Sequence, residues 1–204
     1  MPRRGKAATQ KGRIALLHAL AHIEFNAIDL ACDMIARFSH LDLPRAFFDD
    51  WVKVADEEAL HFTLLRERLH EFGASYGDLP AHDGLWEAAQ KTSRDFLARL
   101  AVVPLVLEAR GLDVTPAMIG NLRRAEDPES AAILEKIYED EIGHVAIGRR
   151  WYEWEARRQR LDPIPVWHEL VRRFYGGVLK PPFNRKARHE AGMAEAYYEG
   201  FASR

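Results

Sequence analysis

Apolar residues recur at steps of three and four along almost the whole chain, and no segment shows the strict alternation of a half-buried strand. The pattern predicts a first helix over residues 14–38 and a second over residues 44–72. Pro44 suits the first turn of the second helix, and Gly73 suits its C-terminal end. The turn-rich composition of residues 73–84 then predicts a loop.

A third helix is predicted over residues 85–110, with a break near residues 92–93. Pro104 should kink this helix because proline removes a backbone donor, and Gly111 is expected to end it. A short helix should then start at residues 115–116. The third long helix is therefore expected to be the least regular.

Asp127 is a good N-cap and Pro128 a good first helical residue, so a fourth long helix is predicted over residues 128–159. Shorter helices are predicted over residues 163–175 and 186–201. Four long helices with a long connection between the second and third predict an all-α fold. Its architecture is expected to be a four-helix bundle with one long crossover and extra C-terminal helices.

The predicted organisation has three parts: a basic, flexible tail (residues 1–13), the bundle (residues 14–160) and a C-terminal helical extension packed on it (residues 161–204). The net charge is −2, but it is unevenly placed. The tail holds five basic and no acidic residues, residues 149–204 hold twelve basic and seven acidic ones, and residues 14–148 carry a net charge of −12. The acidic middle indicates either carboxylates that hold cations or solvated helix faces. The basic tail indicates either a solubilising segment or nucleic-acid contact.

The composition narrows the class of protein. A hydrophobic share of 48% is enough for a core, which argues against a disordered chain. Cys32 is the single cysteine, so a disulfide framework and a cysteine metal cluster are excluded, and its apolar neighbours predict a core position. No apolar stretch is expected to reach the roughly 20 residues of a membrane helix, and no secretory signal is recognised. A cytoplasmic location without a membrane partner is therefore expected.

Two Glu-x-x-His pairs carry the candidate chemistry. Each pair places a carboxylate and an imidazole on one helical face, and each follows a glutamate in an apolar stretch by 34 or 33 residues. The six residues are Glu24, Glu58 and His61 in the first half, and Glu108, Glu141 and His144 in the second. One Glu-x-x-His is common by chance, but two at matched spacing predict a shared site.

The six residues occupy the apolar stripes of their predicted helices. In the second helix the stripe reads Trp51, Val54, Glu58, His61 and Leu65, with alternating steps of three and four. The other long helices place their members in the same way. The pattern predicts that all six polar side chains point into the core; surface glutamates on a helical bundle are the alternative.

Four buried carboxylates need a compensating charge. One ionised carboxylate in an apolar interior costs several kcal/mol, so four would exceed the roughly 5–15 kcal/mol net stability of a domain. Protonation of all four is one solution. Two divalent cations are a simpler one, because their charge balances the four carboxylates. Oxygen ligands with imidazole favour iron or manganese, so two iron and/or manganese ions are the expected cofactors.

This arrangement resembles the ferritin-like di-iron and di-manganese carboxylate proteins, which combine one glutamate from each of two helices with Glu-x-x-His from each of two others. The resemblance covers roughly residues 14–160. It implies that Glu58 and Glu141 bridge the metals. It also implies that the terminal ligands are Glu24, Glu108, His61 and His144.

The chain also resembles an uncharacterised bacterial ferritin-like family. The resemblance is carried by His22-Ile-Glu24, Pro44-Arg-Ala-Phe47, Tyr76-Gly-Asp-Leu-Pro-Ala-His-Asp-Gly-Leu-Trp86, Leu107-Glu-Ala-Arg-Gly-Leu-Asp113 and Pro182-Phe-Asn184. It implies the fold and the site, but no established reaction.

Three further residues are candidates for an outer layer around the ligands. Glu57 and Asp140 each precede a ligand histidine by four residues, and ligand histidines usually donate their second N–H to an outer acceptor. We hypothesise contacts from Asp140 to His61 and from Glu57 to His144, with solvated carboxylates as the alternative. Tyr138 lies one turn before the second pair and could face the metals or pack in the core.

The expected function is an oxidoreductase that activates dioxygen or peroxide at the dinuclear centre and oxidises or hydroxylates a small-molecule substrate. Three alternatives use the same scaffold. One is a ferroxidase that stores or detoxifies metal, and another is a tRNA-type hydroxylase whose basic flanks contact phosphates. The third is a non-catalytic bundle that metal stabilises. An electron donor and a homodimeric assembly are further expectations, whereas nucleic acid is the weaker partner hypothesis.

Overall fold

The computed structural model describes residues 7–176 and 178–201, and every regular element in these ranges is helical. The all-α prediction is therefore confirmed. Residues 1–6 of the predicted tail lie outside the described residues. The first helix begins at Gln10, earlier than predicted, because the side chain of Thr9 caps it by accepting a hydrogen bond from the Gly12 N–H at 3.1 Å.

The helices follow the sequence pattern closely at most of their ends. In chain order they are α1 (Gln10–Phe38), α2 (Arg45–Glu71), α3 (Gly84–Lys91), α4 (Phe96–Val102), a π-helix (Val103–Glu108), α5 (Ala109–Arg124), α6 (Pro128–Arg158), α7 (Pro163–Leu170), a second π-helix (Val171–Tyr175), α8 (Arg185–Glu190), α9 (Glu195–Tyr198) and a 3₁₀ turn (Glu199–Phe201). The predicted first, second and fourth long helices correspond to α1, α2 and α6.

The described residues divide into two compact units. The first takes in the described residues up to Gly84 together with Pro116–Ile137. The second takes in Leu85–Thr115 and the described residues from Tyr138 onward.

The first unit is built on the packing of α1 against α2. Buried apolar side chains recur along both helices at the predicted helical spacing. They include Leu17, Ala21, Met34, Phe47, Trp51, Val54, Leu65 and Leu69. The loop after α2 is tied to α1 by His18, whose Nε2 accepts hydrogen bonds from the N–H groups of Gly77 and Leu79 at 2.9 and 3.3 Å.

Helix α1 corrects the expectation that no stretch is apolar enough to span a membrane. Among the described residues, this one helix passes that test by length and composition, and 44% of its most apolar window is buried. Its inward face packs on α2 and carries the buried polar residues His18 and Glu24. Core packing on α2 therefore accounts for the buried part of this apolar helix.

The expected core position of Cys32 is wrong. Cys32 is exposed, whereas Leu30, Ala31 and Met34 on the same turn of α1 are buried. Because successive residues of a helix are rotated by about 100°, a run of apolar residues extends around the helix, and only part of it can face α2.

The third predicted helix differs most from the structure. The break after α3 is confirmed, and Asp95 caps α4 by accepting from the Ala98 N–H at 2.9 Å. Pro104 lies in the π-helix, and this departure from α-helical geometry agrees with the expectation that proline disrupts an α-helix. Gly111 does not end the helix, however. It lies inside α5, which continues to Arg124.

Pro116 lies inside α5 instead of starting a new helix. Proline has no N–H to donate to the carbonyl four residues earlier, which is that of Leu112. The side-chain amide of Asn184 donates to this carbonyl at 3.0 Å. The C-terminal segment therefore replaces the hydrogen bond that Pro116 removes, and the helix continues.

The C-terminal segment docks within the second unit through a buried ion pair. Arg188 is 2% exposed and donates to both carboxylate oxygens of Asp113, at 2.9 and 2.7 Å, and to the carbonyl of Ala109 at 3.2 Å. The predicted helix over residues 186–201 is interrupted: Gly192 between α8 and α9 has a φ of +73°, which glycine adopts without strain.

In the first unit, Asp127 precedes α6 and is 3% exposed. Its carboxylate accepts from the Ser130 N–H at 3.1 Å and from Arg68 at 2.7 Å, and its second oxygen lies 3.2 Å from Nε of Arg13. Burial alone would raise the pKa of Asp127, but the hydrogen bonds from Ser130 and Arg68 and the charge of Arg68 outweigh it. The pKa is therefore held below its ordinary value.

We predict that Asp127→Asn lowers the free energy of unfolding by about 1–3 kcal/mol at pH 7, because it weakens the cap and the charged hydrogen bonds. A depressed carboxylate pKa contributes stability above the unfolded pKa of about 3.9, and this stability is lost as the pH falls through the lower folded pKa. The difference from wild type should therefore shrink below about pH 4. Urea unfolding over a pH series measures it, with the exposed Asp56→Asn on α2 as control; a difference that does not change with pH would contradict the prediction.

Candidate metal centre

The first unit brings together three of the six predicted ligands. Glu24 lies on α1, and Glu58 and His61 lie on α2. One ligand atom from each lies within 4.8 Å of one from each of the others. Nδ1 of His61 is 3.1 Å from Oε2 of Glu58 and 3.4 Å from Oε2 of Glu24. These three residues are 5%, 1% and 0% exposed, so the cluster is buried.

Two members of this cluster, Glu58 and His61, occupy positions on the packed face of α2 that otherwise carry apolar residues. Trp51, Val54 and Leu65 on the same stripe are each at most 1% exposed. Leu60, one residue before His61, is 45% exposed on the outer face. The helical period that buries the apolar residues therefore also buries the carboxylate and the imidazole between them.

The donor set of the cluster fits a divalent cation. At metal–ligand distances of about 2.1 Å, two ligand atoms of one ion can be at most about 4.2 Å apart, and the separations of 3.1 and 3.4 Å found here are shorter than this limit. An imidazolium would balance only one of the two buried carboxylates, whereas a divalent ion balances both. Two carboxylates with one imidazole suit iron or manganese. This cluster of Glu and His residues could thus bind a metal ion.

The second unit holds the other three predicted ligands. Glu141 and His144 lie on α6, with Nδ1 of His144 3.4 Å from Oε1 of Glu141. His144 is fully buried and Glu141 is 9% exposed. Glu108 is half-buried at the last residue of the π-helix. Such wide helical turns are frequent at functional sites.

In both Glu-x-x-His pairs, Nδ1 is the ring nitrogen nearest the glutamate. Nε2 is therefore the nitrogen left for an outer acceptor, as the hypothesis for Glu57 and Asp140 requires. Glu57 is half-buried, with its carboxylate 3.6 Å from Lys53, and Asp140 is also half-buried. The pairing of Glu57 with His144 and of Asp140 with His61 stays a prediction.

Tyr138 contacts the C-terminal segment. Its hydroxyl accepts a hydrogen bond from the side-chain amide of Asn184 at 2.8 Å. Asn184 was not predicted to lie in this region, because its partners are 46 and 72 residues away in the chain. The signal that could have indicated it is its place in the Pro182-Phe-Asn184 motif.

The surroundings of Glu24 on α1 include a second polar contact that sequence reasoning missed. Nδ1 of His22 is 2.8 Å from the hydroxyl of Tyr76, and its Nε2 is 3.0 Å from the carbonyl of His82. His18 also serves as a hydrogen-bond acceptor. Burial and the neighbouring His22 lower the pKa of His18, and Asp78 opposes them. Both histidines therefore contact the loop that follows α2.

Comparisons with known proteins place the chain in a family. Residues 1–199 match the family described as "Protein of unknown function (DUF455)". A relative from Haemophilus influenzae, described as "Uncharacterized protein", is 44% identical over 193 residues, which cover 92% of this chain and 67% of that protein. No solved structure matches. Because the family match covers residues 1–199 and the relative is 44% identical over most of both chains, the chain belongs to the DUF455 family.

Proposed function

We propose that this protein is a dinuclear iron and/or manganese carboxylate protein with a ferritin-like four-helix bundle. The observation that carries the proposal is the buried cluster of Glu24, Glu58 and His61, which supplies two negative charges and one nitrogen ligand in the core. The repeated pattern of Glu108, Glu141 and His144 would supply the same donor types. Four carboxylates and two divalent ions then balance in charge.

In the proposed centre, Glu24, Glu58, Glu108 and Glu141 would hold the metals through carboxylate oxygens, and His61 and His144 would hold them through ring nitrogens. This assignment follows the resemblance to ferritin-like proteins. Within the first unit, His61 offers Nδ1 as its ligand atom, since that nitrogen faces Glu58 and Glu24. The apolar neighbours Trp51 and Val54 exclude water on this face, which strengthens the electrostatic attraction between carboxylates and a cation.

We propose an oxidoreductase that uses dioxygen or peroxide to oxidise or hydroxylate a small substrate in the cytoplasm. Bound iron or manganese would supply the Lewis acidity and the change of oxidation state that such chemistry needs, and an external electron donor would return the metal to its reduced state. The carboxylate side chains supply the negative charge, the histidine side chains supply the ligand nitrogens, and the apolar side chains exclude water from the centre.

A ferroxidase that stores or detoxifies metal is the second candidate, because the same buried cluster would serve it equally well. The two candidates differ in assembly. A storage shell contains many copies and elutes early on a sizing column, whereas the proposed oxidoreductase is expected as a monomer or dimer.

We predict that wild-type protein loaded anaerobically with ferrous iron or Mn²⁺ retains two ions per chain after desalting. Glu58→Gln and His61→Ala should lower the retained metal to one ion or fewer, because each removes a buried ligand. Bound metal should also raise the thermal midpoint of wild type. At a free metal concentration of 100 times the dissociation constant, the expected gain in the free energy of unfolding is about 2.7 kcal/mol. Metal analysis and thermal unfolding provide the measurements.

The matched controls are Glu67→Gln and His70→Ala, which change the same residue types at exposed positions of α2. Both should retain the wild-type metal content. Wild-type protein that holds neither iron nor manganese, or equal metal loss in the controls, would overturn the proposed centre.

A separate prediction concerns oxygen. Wild type loaded with ferrous iron should consume dioxygen or peroxide rapidly, and Glu58→Gln should slow this consumption by about 100-fold or more, as expected when a group essential to a metal centre is lost. Protein loaded with Zn²⁺, which has no redox chemistry, is the control. An oxygen electrode measures the rate. If wild type binds two ferrous ions and consumes neither oxidant, the protein is a metal-stabilised bundle.

A further inference from the structure

Gly148 on α6 touches the π-helix more closely than any other residue type could. A Cβ built at position 148 would lie 2.2 Å from Cβ and 2.5 Å from Cγ of Pro104. Real Cβ atoms essentially never approach another heavy atom within 3.0 Å. The proline ring is rigid, and the nearest atom is attached directly to the backbone. The missing Cβ therefore sets how closely the π-helix can approach α6 inside the second unit.

A second contact gives the direction of the two helices. Asn184 donates both to the carbonyl of Leu112 and to the hydroxyl of Tyr138, so these two residues lie within reach of one side chain. Residue numbers rise from Pro104 to Leu112 while they fall from Gly148 to Tyr138. The two segments are therefore antiparallel, with one steric contact and one hydrogen-bonded bridge marking their register.

The three candidate ligands of the second unit lie between these two contacts. Glu108 comes four residues after Pro104, and His144 comes four residues before Gly148. In an antiparallel pair, equal steps from a shared contact bring residues to the same level, so Glu108 is level with His144. Glu141 lies about one further turn along α6, on the same face as His144.

The π-helix directs Glu108 toward this level. Its turn is wider than that of an α-helix because hydrogen bonds join residues five apart. Four residues then make slightly less than one turn, so Pro104 and Glu108 share a face more closely than they would in an α-helix. The face of the π-helix that touches Gly148 is thus the face that carries Glu108.

We propose that Gly148 and Pro104 are positioning residues for the second half of the metal centre. Their contact sets the spacing and register between the π-helix and α6, so that Glu108 and the Glu141-x-x-His144 pair can bind the same ion. The inference rests on the proposed function, because it assigns these residues a role toward that metal centre.

The test uses full-length protein and Co²⁺, whose visible absorption reports the ligand geometry. Gly148→Ala should weaken Co²⁺ binding by roughly 10–100-fold, the loss typical of disturbed ligand support, and should change the absorption spectrum. Gly143→Ala is the matched control. Gly143 lies between Glu141 and His144 in the sequence, but it is exposed and has open space around a built Cβ. This control should keep wild-type affinity and spectrum.

A compensating variant separates positioning from general packing. Pro104→Gly combined with Gly148→Ala moves the missing Cβ from α6 to the π-helix. This double variant should recover the wild-type Co²⁺ spectrum and most of the affinity, even if Gly148→Ala alone does not fold. Recovery of both supports the inference.

Two results would overturn it. One is a Gly148→Ala protein with wild-type affinity and spectrum; the other is a folded double variant whose spectrum stays altered. If wild type itself binds no Co²⁺, iron or manganese, the proposed function fails and this inference fails with it. If wild type binds metal and only the Gly148 result is negative, the proposed function is unaffected.

Discussion

The need to balance buried negative charge governs the rest of this structure. Glu24 and Glu58 lie side by side in the core of the first unit, with the imidazole of His61 as their polar neighbour. Two carboxylates out of water cost several kcal/mol each unless a cation compensates them. Carboxylates at core positions do not by themselves stabilise the fold. Such a cluster could bind a metal ion, and a divalent cation would balance both carboxylates.

The second unit shows how backbone irregularity supports the placement of polar groups. A π-helix ends at Glu108, and Gly148 admits the ring of Pro104 against α6. Asn184 donates to the carbonyl of Leu112, which the proline at position 116 leaves without its helical partner. The C-terminal segment thus compensates for defects in helices that an uninterrupted bundle would avoid.

Much of the fold was predictable because local signals act at helix ends. Thr9, Asp95 and Asp127 all cap helices, and of these three caps the one at Asp127 was predicted. Local signals failed at Gly111, where α5 continues, because glycine permits a helix end without requiring one. They failed at Cys32 because an apolar run does not show which part of a helix circumference meets its neighbour.

The sequence by itself determined that the chain is helical and that its Glu-x-x-His pairs share the apolar stripes, since a period of 3.6 residues is a local property. The tertiary structure decided which side chains meet: Glu24 with His61, Asn184 with Tyr138, and Pro104 with Gly148. Such contacts join residues tens of positions apart. They depend on how helices approach one another, and the spacing of residues within a helix does not determine that approach.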